Sequence, residues 1–261
     1  MPKDTDSEWE KWGKKDPYFG VITSPQYRNS TITDADKAEF FSSGDTHVKQ
    51  VMTYISRHIE KDFKCDRVLD FGCGVGRLVV PFAKISDQVV GVDISESMLK
   101  EAAANCKKYS CDNVTLLRSD DQLSNVDGKF DLIHSFIVLQ HIPVERGYQL
   151  LGHMLDMLNE GGICALHFTY AKSTDDAYKN GGDQKVGPPA ANTKLSLPGR
   201  VLRLIRRLLT NTREPEMQMN CYDMNHLLAQ IQSRGVTDVH TQYTNHQNTL
   251  GVFLFFKKNT R

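Results

Sequence analysis

Hydrophobic and polar positions change rhythm along this chain, and the changes mark out its elements. Between 45 and 60, Val48, Val51, Met52, Ile55 and Ile59 recur at helical spacing. A shorter helix is expected just before, near 34–42. From Arg67 onward, short apolar runs alternate with longer amphipathic stretches. Arg67–Phe71 (RVLDF) reads as a buried strand that closes on a glycine turn. Gln88–Val92, Val114–Leu117, Phe130–Ile137 and Ile163–Tyr170 read as four more strands. Helices are expected over 76–85, over Ser95–Lys108 with Ser95 as N-cap, and over 143–159 with Pro143 in its first turn. Gly161-Gly162 would end the last of these. A helix near 223–233 and strands near 236–243 and 250–257 follow. The short polar link between those two strands makes them antiparallel neighbours.

Strands alternating with helices predict an α/β fold, a doubly wound sheet with helices on both faces. The flanking stretches read differently. Residues 1–33 are polar with embedded aromatics, Trp9, Trp12, Tyr18, Phe19 and Tyr27. Residues 172–198 are rich in Gly, Pro, Ser, Asn and Asp, the composition of a lid or of disorder. Over 200–210, Val201, Leu202, Leu204, Ile205, Leu208 and Leu209 form one apolar stripe, with Arg200, Arg203, Arg206 and Arg207 on the remainder. Such a helix suits a solvated surface, or contact with an anionic acceptor or a membrane surface. The expected organisation is a single domain over 1–261. It comprises N-terminal helices or lid (1–60), a core (61–171), an insert (172–214) and a closing helix with its strand pair (215–261).

Composition narrows the function classes. Lys+Arg and Asp+Glu are 32 each over 261 residues, so the formal net charge is zero. No nucleic-acid partner is expected from that balance. The polar N-terminus has no signal-like apolar region, and no apolar run is long enough to span a membrane, so a cytoplasmic protein is expected. The six cysteines are scattered with no C-x-x-C pair, which reads as reduced thiols without a structural zinc site.

The candidate chemistry starts at Val68–Arg77 (VLDFGCGVGR). A glycine-rich turn after the first strand lets backbone approach a ligand closely, and the helix after it offers free N–H groups. Asp93 ends the second strand, where a carboxylate can accept from both hydroxyls of a ribose. The glycines run G-x-G-x-G, and position 77 is Arg where a dinucleotide fingerprint needs a third glycine, which speaks against NAD or FAD.

These stretches, with VVGVDISESML (89–99), NVTLLRSDD (113–121), FDLIHSFIVLQHIP (130–143) and LNEGGICALHF (158–168), resemble the class I S-adenosylmethionine-dependent methyltransferases. The resemblance covers most of 65–257, and WEKWGKKDPYFGVIT (9–23) looks like a segment of bacterial members. It implies a Rossmann-like seven-stranded sheet, mostly parallel with an antiparallel last strand, binding S-adenosylmethionine and releasing S-adenosylhomocysteine. It also implies site residues. Asp70, Gly72 and Gly74 would lie against the methionine end, and Asp93 would hold the ribose. Ile94 and Met98 would flank the adenine, with Asp120 or Asp121 accepting from its amino group. Ser135 and Phe136 would lie beside the sulfonium.

Methyl transfer is an in-line displacement that depends chiefly on positioning and needs no metal. A hydroxyl acceptor must also lose a proton. His141, on the loop after the fourth core strand, is the candidate base, or else a hydrogen-bonding residue of that loop. His134, His153, His167 and His226 have no partner at metal spacing. The expected acceptor is a small molecule methylated on oxygen or nitrogen. Alternatives are a protein, peptide or RNA acceptor, and a non-catalytic cofactor-binding partner protein. A nicotinamide oxidoreductase is disfavoured by the glycine spacing.

Overall fold

The structure is a computed structural model, and it describes residues 4–172, 214–246 and 249–259. Three helices precede the sheet: α1 (Thr5–Lys15), α2 (Pro17–Val21) and α3 (Asp34–His58). Then come β1 (Arg67–Phe71), α4 (Val79–Ala83), β2 (Gln88–Asp93), α5 (Glu96–Lys108), β3 (Val114–Arg118), β4 (Phe130–Ser135), α6 (Val144–Asp156) and β5 (Leu158–Lys172). The chain closes with α7 (Met224–Gln232), β6 (Val239–His246) and β7 (Thr249–Lys257).

The seven strands are ordered β3-β2-β1-β4-β5-β7-β6. β1 to β5 run parallel, and β7 lies antiparallel to both β5 and β6. The order reverses between β1 and β4, where Asp70 and His134 stand in register. In open α/β sheets that crevice, at the carboxyl ends of the strands, is where ligands bind. One face of the sheet carries the cluster of Leu69, Phe71, Ile133 and Leu166 with α6 and α7. The other carries Val68, Leu132, Ala165, Phe253 and Phe255 under α3 and α4. A third cluster joins Trp12, Tyr18, Tyr27, Phe40, Val75 and Met98, so the N-terminal aromatics pin α1 and α2 to the core.

The local differences from the sequence reading have physical causes. The two helices expected at 34–42 and 45–60 are one, α3, started by a Thr33/Asp36 capping box. Ser42-Ser43-Gly44 reads as a break, yet Gly44 serves close packing. A methyl group there would overlap the carbonyl oxygen of Arg77. The helix expected over 76–85 is only five residues long, because turns run through Gly76, at φ +85°. Pro143 is the N-cap of α6 rather than part of its first turn. Gly161-Gly162 lies inside β5, not at a helix end. Gly161 N–H donates to Lys258 O and Lys258 N–H to Gly162 O, each at 2.9 Å, where the pairing with β4 shifts register. The insert from 173 onward and the basic helix expected over 200–210 lie outside the described residues.

Candidate functional site

The glycine turn is built for close approach. Gly72, Gly74 and Gly76 all have positive φ, at 74°, 52° and 85°. The N–H groups of Gly72 and Cys73 donate to Val92 O at 2.8 and 2.9 Å, tying the turn to β2. A side chain at Gly72 would overlap Val138, so the turn packs directly on the loop after β4.

Asp93 stands beside this turn. Its Oδ2 accepts Gly74 N–H and its Oδ1 accepts Ser95 N–H, both at 2.9 Å. Burial pushes its pKa up to about 6, against those backbone hydrogen bonds and with the charge of Asp70 adding to the rise. No ion pair among the described residues reaches Asp93, so the carboxylate still has lone pairs to offer to donors. Ile94 follows it, and Met98 is buried in the first turns of α5.

The N-terminal segment sits on top of this site. Glu10 accepts from Ser95 Oγ at 2.8 Å, Ser97 N at 3.2 Å and Ser97 Oγ at 2.7 Å, clasping the start of α5. Gly20 packs on Met98, and Val21 packs on Gly74. Arg146 bridges the far end. It donates to Asp121 at 2.6 to 3.1 Å and to both oxygens of Asp6 at 3.1 Å. Asp121 is therefore engaged by Arg146. Asp120 folds back onto its own loop, accepting from Gln122 N, Ser124 N and the Ser124 hydroxyl.

Ser135 is buried and donates to Phe71 O at 3.0 Å, so it braces β1 against β4. Phe136 leaves the sheet and packs on His47, with ring centroids 4.3 Å apart.

His141 uses both ring nitrogens within its loop. Nδ1–H donates to Gln218 O at 2.7 Å, which leaves Nε2 to accept from the Gln140 amide at 3.2 Å. Trp9 packs edge-on against it, and burial pulls its pKa down to about 4 despite the Gln218 bond. Neither nitrogen has a lone pair free for a substrate proton.

Sequence spacing could not reveal the partners of His134. Its ring is fully buried, with Nδ1 2.8 Å from Asp70 Oδ1 and Nε2 3.0 Å from His47 Nε2. The three residues lie 64 and 87 positions apart in sequence and meet only when α3 packs across β1 and β4. Among the described residues, no group of three or more His, Cys, Asp or Glu is placed to hold a metal ion, and all six cysteines are free.

Residues 68–162 match a family described as a methyltransferase domain. They run from β1 through the glycine turn and Asp93 to the start of β5. The matched stretch, just over a third of the chain, is similar to the methyltransferase domain family. The chain is 34% identical over 92 residues to a magnesium-protoporphyrin O-methyltransferase of Synechocystis sp., covering 34% of this chain and 39% of that protein. It is 32% identical over 112 residues to a ribosomal protein L11 methyltransferase of Thermotoga neapolitana, covering 42% of this chain and 40% of that protein. The chain thus spans about two fifths of the length of these curated relatives. Its fold is similar to that of magnesium protoporphyrin IX methyltransferase from Synechocystis PCC 6803, crystallised with bound SAM. The TM-score is 0.61 at 17% identity, covering 99% of each chain. No helix among the described residues is long and apolar enough to cross a membrane.

Proposed function

We propose that this chain moves a methyl group from S-adenosylmethionine to an oxygen or nitrogen of a small-molecule acceptor. The observation that carries the reading is Asp93, a carboxylate held at the tip of β2 by two backbone N–H groups, raised in pKa by burial and facing no cation. Such a group suits the paired hydroxyls of a ribose. The glycine turn beside it offers backbone to a ligand at close range. When bound, the cofactor supplies an electrophilic methyl group on a sulfonium.

The chain's own residues then bind, orient and exclude water. Asp93 would hold the ribose. Asp70, Gly72 and Gly74 would line the methionine end, Ile94 and Met98 the adenine. Ser135 and Phe136 would stand toward the reacting centre. Asp121 or Asp120 would serve the adenine amino group only by giving up part of its present bonds. Because α2 lies on Gly74, ligand entry is expected to displace the N-terminal segment, which then closes over the cleft.

The test is calorimetric titration with S-adenosylhomocysteine, with NAD as control. Micromolar binding of the first alone is expected, and loss of that binding in Asp93→Ala. Binding of NAD instead, or unchanged binding in the folded variant, would overturn the reading. A protein acceptor is the second reading. It is favoured by the similarity to the ribosomal protein L11 methyltransferase.

A further inference from the structure

Asp70, His134 and His47 form one hydrogen-bonded line that leads out of the sheet. An ionised carboxylate only accepts, so Asp70 fixes the His134 proton on Nδ1. His134 Nε2 then holds a lone pair and accepts His47 Nε2–H. His47 is left with a bare Nδ1. The order of roles is that of a buried acid orienting an imidazole, extended by one ring.

The far end of the line opens on an aromatic wall. Phe136 packs against His47 at 4.3 Å, His167 at 5.1 Å, Phe253 at 5.4 Å and His246 at 6.1 Å. His167 pairs through Nε2 with the Thr244 hydroxyl at 2.8 Å, and its buried Nδ1 has no partner among the described residues. His47 and Phe136 are only partly buried, whereas His134 and Asp70 are closed off behind them. Arg77 adds the nearby positive charge, with Nη1 on Ser43 Oγ at 3.3 Å.

We propose that His47 is the residue that takes the acceptor's proton, that Asp70 and His134 are its positioning residues, and that the acceptor presents a ring-borne hydroxyl beside Phe136. The acceptor O–H gives its proton to His47 Nδ1, and the oxygen keeps the electron pair. His47 passes its Nε2 proton to His134 Nε2. The positive charge then rests on His134, against the Asp70 carboxylate. That transfer matters because burial and the neighbouring His134 and Arg77 disfavour a charged His47. A carboxylate behind the second ring gives the charge a paired place to go. The purpose of the line rests on the methyl-transfer reading, whereas its protonation pattern does not.

The test is histidine nitrogen NMR on the full ¹⁵N-labelled chain near neutral pH. His134 is expected to be protonated on Nδ1, and His47 on Nε2 with a bare Nδ1. Phenol, used as the smallest ring-borne hydroxyl, should shift the His47 Nδ1 resonance. His47→Gln keeps an amide donor for His134 and should weaken phenol binding at least tenfold, with S-adenosylhomocysteine affinity within about twofold. A proton on His47 Nδ1, an Nδ1 resonance unmoved by phenol, or undiminished phenol binding in the variant would each overturn the proposal. Failure of S-adenosylhomocysteine to bind the wild type would count against the methyl-transfer reading alone.

Discussion

The Asp93 carboxylate accepts the backbone N–H of Gly74 at 2.9 Å, so the tip of β2 holds the glycine turn of β1 in place. The bond joins the proposed ribose-binding carboxylate to the turn beside it. It also leaves a half-buried carboxylate without a counter-charge among the described residues.

Asp93 therefore sets opposite demands for stability and for binding. Its folded pKa, about 6, lies above the ordinary 3.8. The resulting stabilisation is fully present below the unfolded value and is lost as pH rises through about 6. Ionisation of Asp93 should thus cost the ligand-free wild type about 2 kcal/mol of stability between about pH 4 and pH 8, allowing for solvent at this half-buried site. Ligand binding should respond oppositely. Asp93→Ala should weaken S-adenosylhomocysteine by about 1.5–3 kcal/mol, and wild-type affinity should fall as pH drops below about 6. Melting curves and calorimetry across pH check both halves.

Glu10 fastens α1 to α5. Burial alone would raise its pKa, but the hydrogen bonds from Ser97 and Ser95 outweigh it and hold the group at about 2. A depressed carboxylate contributes stability above its unfolded pKa, 4.5, and loses it as pH falls through about 2. Glu10→Gln should speed amide hydrogen exchange across α1 and α2 while leaving β1 and β4 protected. Uniform change, or none, would show that the clasp does not hold the segment.

His141 should behave as a structural residue. With both nitrogens spent on Gln218 and Gln140, His141→Ala is expected to cost about 1–3 kcal/mol of stability. It should leave the shape of the pH–rate profile unchanged. Loss of one limb of that profile would restore the base role.

Gly44→Ala should reverse the usual sign of its substitution. Alanine in mid-helix gains about 1 kcal/mol over glycine. Here the added methyl meets the Arg77 carbonyl across the contact that sets α3 on the turn. A net loss of about 1–3 kcal/mol is expected from overpacking. Urea denaturation measures it.

Legibility in the sequence followed the range of the interactions. The strands and the glycine turn could be read because each is dictated by a few neighbouring residues, and Ser95 caps α5 as its sequence suggests, accepting Met98 N–H at 3.1 Å. The sequence reading missed α1 and α2. α1 has few apolar positions and α2 is only five residues long, and both dock on the cluster that holds Met98 and Phe40. It also divided α3, since Gly44 looks like a helix breaker until Arg77 arrives from the turn. The position of Asp93 at the tip of β2 was readable. The Asp70–His134–His47 line was not, because three separate elements must pack before its nitrogens meet.

Trp9 and Trp12 are the chain's two tryptophans, and both lie on α1. Trp12 is nearly fully enclosed, and Trp9 faces His141. Tryptophan fluorescence of the unmodified protein, excited at the red edge where tyrosine does not absorb, therefore reports on this one segment and not on the sheet. The order of ligand arrival and segment closure can be followed in real time without attaching a dye.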